Sequence, residues 1–153
     1  MNNQATINVM NTLIVTNNDR IEGYETATKE TEEADLKDLF QRFIKTSKLC
    51  KSELVVAVKG LGVMPDEGTR ITGKFFRVWM DVKAFLTGKD RISILNSCEY
   101  GENAAGNTYK ETIDNNLHSL TSQEQTMLNA QANLLKADLN KVITLHDLLA
   151  FAT

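Results

Sequence analysis

The carboxylates of this chain recur at a spacing that could do chemistry. Glu22/Glu25, Glu30/Glu33 and Glu99/Glu102 are each three residues apart. On a helix that spacing brings two carboxylates onto one face, a turn apart. Such a pair can grip a hard cation or pass a proton. A dinuclear centre in a helical bundle asks for more: a Glu from each of two helices and a Glu-x-x-His from each of the other two. The chain has no Glu-x-x-His. His118 falls in a predicted turn and His146 near the end of the last helix, so both read as surface or boundary residues. Glu30/Glu33 lies at a predicted hairpin and reads as solvated. Glu22 falls on an outer face, and Glu25, Glu53 and Glu99 at stripe edges. Only Glu102 points clearly inward. A complete di-iron oxidase centre is therefore not expected. A degenerate site remains as one reading, with Glu102 joined by Glu99 or Glu25, and iron or manganese as the metal that oxygen ligands suit. A bundle with no cofactor is the other.

Further chemistry finds little footing. Cys50 and Cys98 both face inward at different heights, which predicts two apolar core thiols rather than a disulfide or a metal pair. Two marginal histidines cannot build a Ser-His-Asp arrangement. Gly60-Leu61-Gly62 follows a helix instead of preceding one, so it reads as a stop signal and not as a phosphate loop. Lys48, Lys51 and Lys59 read as a solvated helix face.

The elements that must position these groups are helices. The 153 residues suit one domain with a substantial core, spanning 1–153. Hydrophobic residues make up 42% and charged residues 24%, the balance of a globular chain. A net charge of −3 argues against nucleic acid or an anionic membrane as main partner. No apolar run is long enough to span a bilayer. Two cysteines and no secretory start make a reduced cytoplasmic setting the expectation. Pro65 is the single proline, which suits an all-helical chain.

Four long helical patterns and one shorter one can be read. The first runs from Ala5 to Glu30, with Met10, Leu13, Ile14, Ile21 and Tyr24 as its stripe. The second runs from Asp35 to Leu61 on Leu36, Leu39, Phe40, Phe43, Cys50, Leu54, Ala57 and Val58, and Gly60, Gly62 and Pro65 end it. The crossover segment, 62–89, carries a shorter helix from Thr72 to Thr87, whose Phe75, Phe76 and Trp79 would staple it to the bundle. Asp90 is the expected N-cap of the third long helix, which continues to Asp114 on Ile94, Leu95, Cys98, Ala105, Tyr109 and Ile113. Thr121-Ser122-Gln123-Glu124 reads as a capping box for the fourth, with Met127, Leu134, Leu135, Val142, Leu145 and Leu149. Short links make helices one and two, and three and four, antiparallel hairpins. The long crossover makes helix three parallel to helix two. The fold class is all-α, a ferritin-like four-helix bundle.

Polar residues on these stripes are Asn17, Ser47, Glu102, Gln131 and Asp138. Turns centred near residues 31 and 117 would put Asn17, Ser47, Glu102 and Gln131 in one middle layer, with Glu102 level with Ala132. Asp138 would lie near Tyr24 and Leu95, within reach of the Tyr24 hydroxyl. A buried glutamate needs partners. In one reading Asn, Ser and Gln supply them and the layer sets helix register. In the other, Glu102 is a metal ligand.

The stretches "NTLIVTNNDRIEGYETA" (11–27), "KSEL" (51–54), "RVWMDVKAFLTGKDRISILNSCEYGE" (77–102) and "LLKAD" (134–138) resemble a ferritin-like four-helix-bundle family of unknown function, related to stress-induced YciF-type bacterial proteins. The resemblance covers nearly the whole chain. It implies a ferritin-like bundle, homodimers, and a link to metals and stress responses, with Glu22, Glu25, Glu53, Glu99, Glu102 and Gln131 as hallmark residues. It also implies a histidine just after Asp138, where this chain has Leu139. The leading expectation is a non-enzymatic, stress-associated binding or structural protein; the rival is a carboxylate-ligated metal protein.

Overall fold

The computed structural model describes residues 3–66 and 91–152. Among them are four α-helices and no strand: α1 (Gln4–Glu30), α2 (Ala34–Gly60), α3 (Arg91–Asp114) and α4 (Ser122–Ala152), with a 3-10 turn at Leu117–Ser119. The expected crossover helix Thr72–Thr87, its aromatic residues and the Asp90 cap lie outside the described residues. No helix of the described residues is long and apolar enough to cross a membrane.

The helix ends follow from local chemistry. α2 stops where Gly62 takes φ 84°, a left-handed conformation that other residues rarely adopt. There Leu61 N–H donates to Val58 O at 3.0 Å and Gly62 N–H to Lys59 O at 3.0 Å, which satisfies carbonyls the ending helix would leave bare. α4 starts on the predicted capping box. Glu124 N–H donates to Thr121 Oγ1 at 3.0 Å, and Thr121 N–H donates back to Glu124 Oε1 at 2.9 Å.

Side-chain partners set the helix directions. Tyr24 of α1 stacks on Phe40 of α2 at 5.4 Å and meets Phe43 edge-on at 5.1 Å, while Arg20 reaches Ser47, so α1 and α2 run antiparallel. Asn17 contacts Tyr109 and Arg20 contacts Glu102, so α3 is antiparallel to α1 and hence parallel to α2. Tyr109 contacts Gln131, and Arg20 links the Glu102 level of α3 to Asp138, so α4 runs against α3. The tightest pairings are the two hairpins, α1 with α2 and α3 with α4. On leaving α2 the chain passes beside α1: Asp66 N–H donates to Asn11 Oδ1 at 3.1 Å.

The core is the apolar stripe of each helix, including Met10, Leu13, Phe40, Phe43, Leu54, Leu95 and Tyr109. α1 is enclosed most completely, with every residue from Leu13 to Arg20 buried. On α4 the stripe differs from the expected one. Leu128, Leu135 and Val142 are buried, whereas Leu134 is 40% exposed. With Gln131 and Asp138 they form the series 128, 131, 135, 138, 142, in steps of three and four. Leu134 falls between those steps, so it faces out.

Candidate functional site

The polar residues expected inward are found at two levels of the bundle rather than in one layer. Hairpin register is the reason. The link into α4 contains the 3-10 turn Leu117–Ser119 and the capping residue Thr121, so the turn centres later than residue 117. Glu102 consequently shares its level with Asp138 instead of Ala132, a shift of between one and two helical turns. The α1–α2 link is likewise displaced, and Asn17 and Ser47 fall one level apart.

The first level is neutral. Asn17 Nδ2 donates to Leu13 O at 2.9 Å and to the Tyr109 hydroxyl at 2.7 Å. Tyr109 donates to Gln131 Oε1 at 2.9 Å. Gln131 Nε2 donates to Glu53 Oε1 at 3.0 Å and to Cys50 O at 3.3 Å. The chain of donors thus begins inside the bundle and ends on a carboxylate at its surface. Asn17, Tyr109 and Gln131 are fully buried. Burial pushes the Cys50 thiol up to about 11 and raises the Tyr109 hydroxyl well above its ordinary value. Neither ionises at neutral pH.

One turn along α1, the second level is charged. Arg20 is fully buried, with no exposed side-chain surface. Its Nε and Nη2 donate to Glu102 Oε1 at 3.1 and 2.8 Å. Nη2 also donates to Asp138 Oδ2 at 3.0 Å, and Nη1 to Ser47 Oγ. The Tyr24 hydroxyl donates to the same Glu102 oxygen, and the Tyr24 ring lies 5.6 Å from the guanidinium carbon. All four helices contribute. Burial opposes the guanidinium charge, yet Glu102, Tyr24 and Asp138 together hold it more firmly protonated than an ordinary arginine. Burial also raises the Glu102 and Asp138 carboxyls above their usual values, with Arg20 as the main opposing influence on both. Arg20 therefore faces two carboxylates, and the Thr46 side chain and the Arg42 charge also act on Asp138. Glu102 Oε2 and Asn17 Oδ1 are buried without a hydrogen-bond partner among the described residues.

Two expected pairings are corrected here. Asn17, Ser47 and Gln131 do not satisfy Glu102: Arg20 and Tyr24 do. The Tyr24 hydroxyl goes to Glu102 and not to Asp138, which is held by Arg20. Arg20 is the residue that sequence reasoning missed. Its position, three after Asn17 and four before Tyr24, is on the inward stripe. An arginine there invites the assumption that its head reaches water, whereas Arg20 is fully buried.

The carboxylates considered as metal ligands are not gathered together. Glu25 and Glu22 are exposed on α1, Glu99 is half-buried on α3, and Glu102 is buried. Among the described residues no three His, Cys, Asp or Glu side chains stand close enough to share a metal. Glu102 Oε1 already accepts from Arg20 and Tyr24. With the Arg20 guanidinium in place, the donor set does not fit a carboxylate metal centre. Cys98, four residues before Glu102, is a buried thiol that burial and the Glu102 charge keep protonated. His118 is exposed in the 3-10 turn, and His146 is half-buried beside Asp147 at 3.7 Å.

Residues 5–115 match the model of a family described as a domain of unknown function, DUF2383. The chain belongs to the DUF2383 family. The DUF2383 match contains α1 but for Gln4, and all of α2 and α3, and with them Arg20, Tyr24, Ser47 and Glu102. Gln131 and Asp138, on α4, lie beyond it. No curated protein and no solved structure matches the chain.

Proposed function

We propose that this DUF2383 protein is a ferritin-like bundle related to the YciF-type bacterial proteins. We infer a cytoplasmic, dimeric, non-enzymatic role in binding or structural support under stress. The helix directions support the ferritin-like reading, since α2 and α3 are parallel and cannot be joined by a short turn. The observation that carries the non-metal reading is the commitment of Glu102 to Arg20 and Tyr24. A carboxylate already neutralised by a buried guanidinium has little to offer a metal, and a second positive charge beside Arg20 would be repelled in a medium of low dielectric constant. The polar levels then act as register locks that tie four helices at one height. Elemental analysis of protein purified without chelators tests this, with less than a tenth of an equivalent of iron or manganese expected. A full equivalent that is lost in Glu102→Ala would overturn the reading in favour of a metal protein. Solution scattering tests the dimer, which a monomeric mass would refute.

A further inference from the structure

The guanidinium of Arg20, on α1, donates to oxygens from the three other described helices: Ser47 on α2, Glu102 on α3 and Asp138 on α4, while the Tyr24 hydroxyl donates to the same Glu102 oxygen. Its fit to them is incomplete. Nε and Nη2 both point at Glu102 Oε1, where a matched guanidinium–carboxylate pair would use both oxygens. The second oxygen, Oε2, is buried and accepts nothing among the described residues. Glu102 and Asp138 both face this charge, and Arg42 and the Thr46 side chain also act on Asp138. Inward oxygens converging from facing helices are the means by which bundle cores hold cations. Here the cation is part of α1.

We propose that this layer is a cation-binding site in which Arg20 is the resident cation, so that the fold requires positive charge at this point rather than an arginine as such. The proposal rests on the metal-free reading above. Shortening Arg20 leaves the oxygens of Glu102, Asp138 and Ser47 around a space the size of the lost guanidinium. Two kinds of cation suit it. A free guanidinium ion reproduces the planar fork. A divalent ion with a preference for oxygen ligands, such as Mn2+, can use Glu102 Oε2 as well. In the intact protein the side chain closes the site to both.

Arg20→Ala is the test, with thermal unfolding followed by far-ultraviolet circular dichroism. Guanidinium chloride below denaturing concentrations is compared with equal sodium chloride, and Mn2+ binding is read by the loss of the free-ion electron paramagnetic resonance signal. Guanidinium at ten times its Kd is expected to raise the variant's unfolding temperature by about 4 °C, while leaving the parent protein unchanged or slightly lowered. Mn2+ is expected to bind the variant at one equivalent, the parent not at all, and Arg20→Ala/Glu102→Gln at least tenfold more weakly. Should Arg20→Ala be unfolded alone, recovery of helical signal with either cation is the expected result. A variant, folded or unfolded, that responds to neither cation beyond the sodium chloride control overturns the proposal. Metal found in the parent protein would overturn the metal-free reading instead, so the two failures are distinguishable.

Discussion

The two polar levels of the bundle sit one turn apart on α1 and solve the same problem differently. At Asn17, Tyr109 and Gln131, neutral donors and acceptors pass hydrogen bonds along a line that leaves the core at Glu53. At Arg20 and Glu102, full charges are enclosed and neutralise one another in place, with the partly buried Asp138 beside them. A neutral pair that loses one member leaves a polar atom unsatisfied. A charged pair that loses one member leaves a charge without solvent, which costs more. The bundle thus has one level that tolerates damage and one that does not.

The largest expected effect breaks the charged level. Arg20→Met should destabilise the protein by about 3–5 kcal/mol in urea unfolding, because Glu102 stays buried without its cation. Adding Glu102→Leu should recover most of that loss, since two apolar side chains have no charge to strand. A double variant as unstable as the single one would show that packing, not charge, sets the cost. The neutral level should yield less. Tyr109→Phe removes the bridge between Asn17 Nδ2 and Gln131 Oε1, and about 1–3 kcal/mol should be lost. A loss as large as that of Arg20→Met would erase the distinction between the levels.

Proton linkage sharpens the same contrast. The Glu102 and Asp138 carboxyls are raised by burial, so the folded protein holds their protons more tightly than the unfolded chain. Their contribution is fully present below the ordinary carboxylate values, near 4.5 and 3.8, and is lost as pH rises through the raised folded values. Stability measured upward from pH 4 should fall in the parent relative to Glu102→Gln, in which one titrating group is gone. Tyr109→Phe should keep the parent's profile. Parallel profiles for the parent and Glu102→Gln would remove Glu102 as the source.

The smallest effect belongs to the charges at the bundle's end. Arg91, at the start of α3, donates to Glu33 at 3.0 Å and to Asp35 at 3.1 Å, the exposed N-cap and first-turn residues of α2. The hydrogen bond from Arg91 holds the Asp35 carboxyl below its usual value. Water and salt screen this group, so Arg91→Gln should cost less than about 1 kcal/mol and the difference should vanish at high salt. A cost that persists in high salt would mean that the end of the bundle is organised like its charged core.

Sequence periodicity by itself determined the four long helices, the stop at Gly62, the capping box at Thr121 and Glu124, and the inward facing of Asn17, Ser47, Glu102 and Gln131. Each of these depends on neighbours within about a turn, and local spacing records them. What Glu102 touches depends instead on where α1, α3 and α4 stand against one another. A turn's difference in the length of one link moves every cross-helix partner, and that length is not written in the stripe. Arg20 combined both difficulties. Its place on the inward face was legible from Asn17 and Tyr24, but a guanidinium is buried only where carboxylates from other helices meet it. Tertiary structure alone brought Glu102 and Asp138 to that point, and so decided that the cation at the centre of this bundle is one of its own side chains.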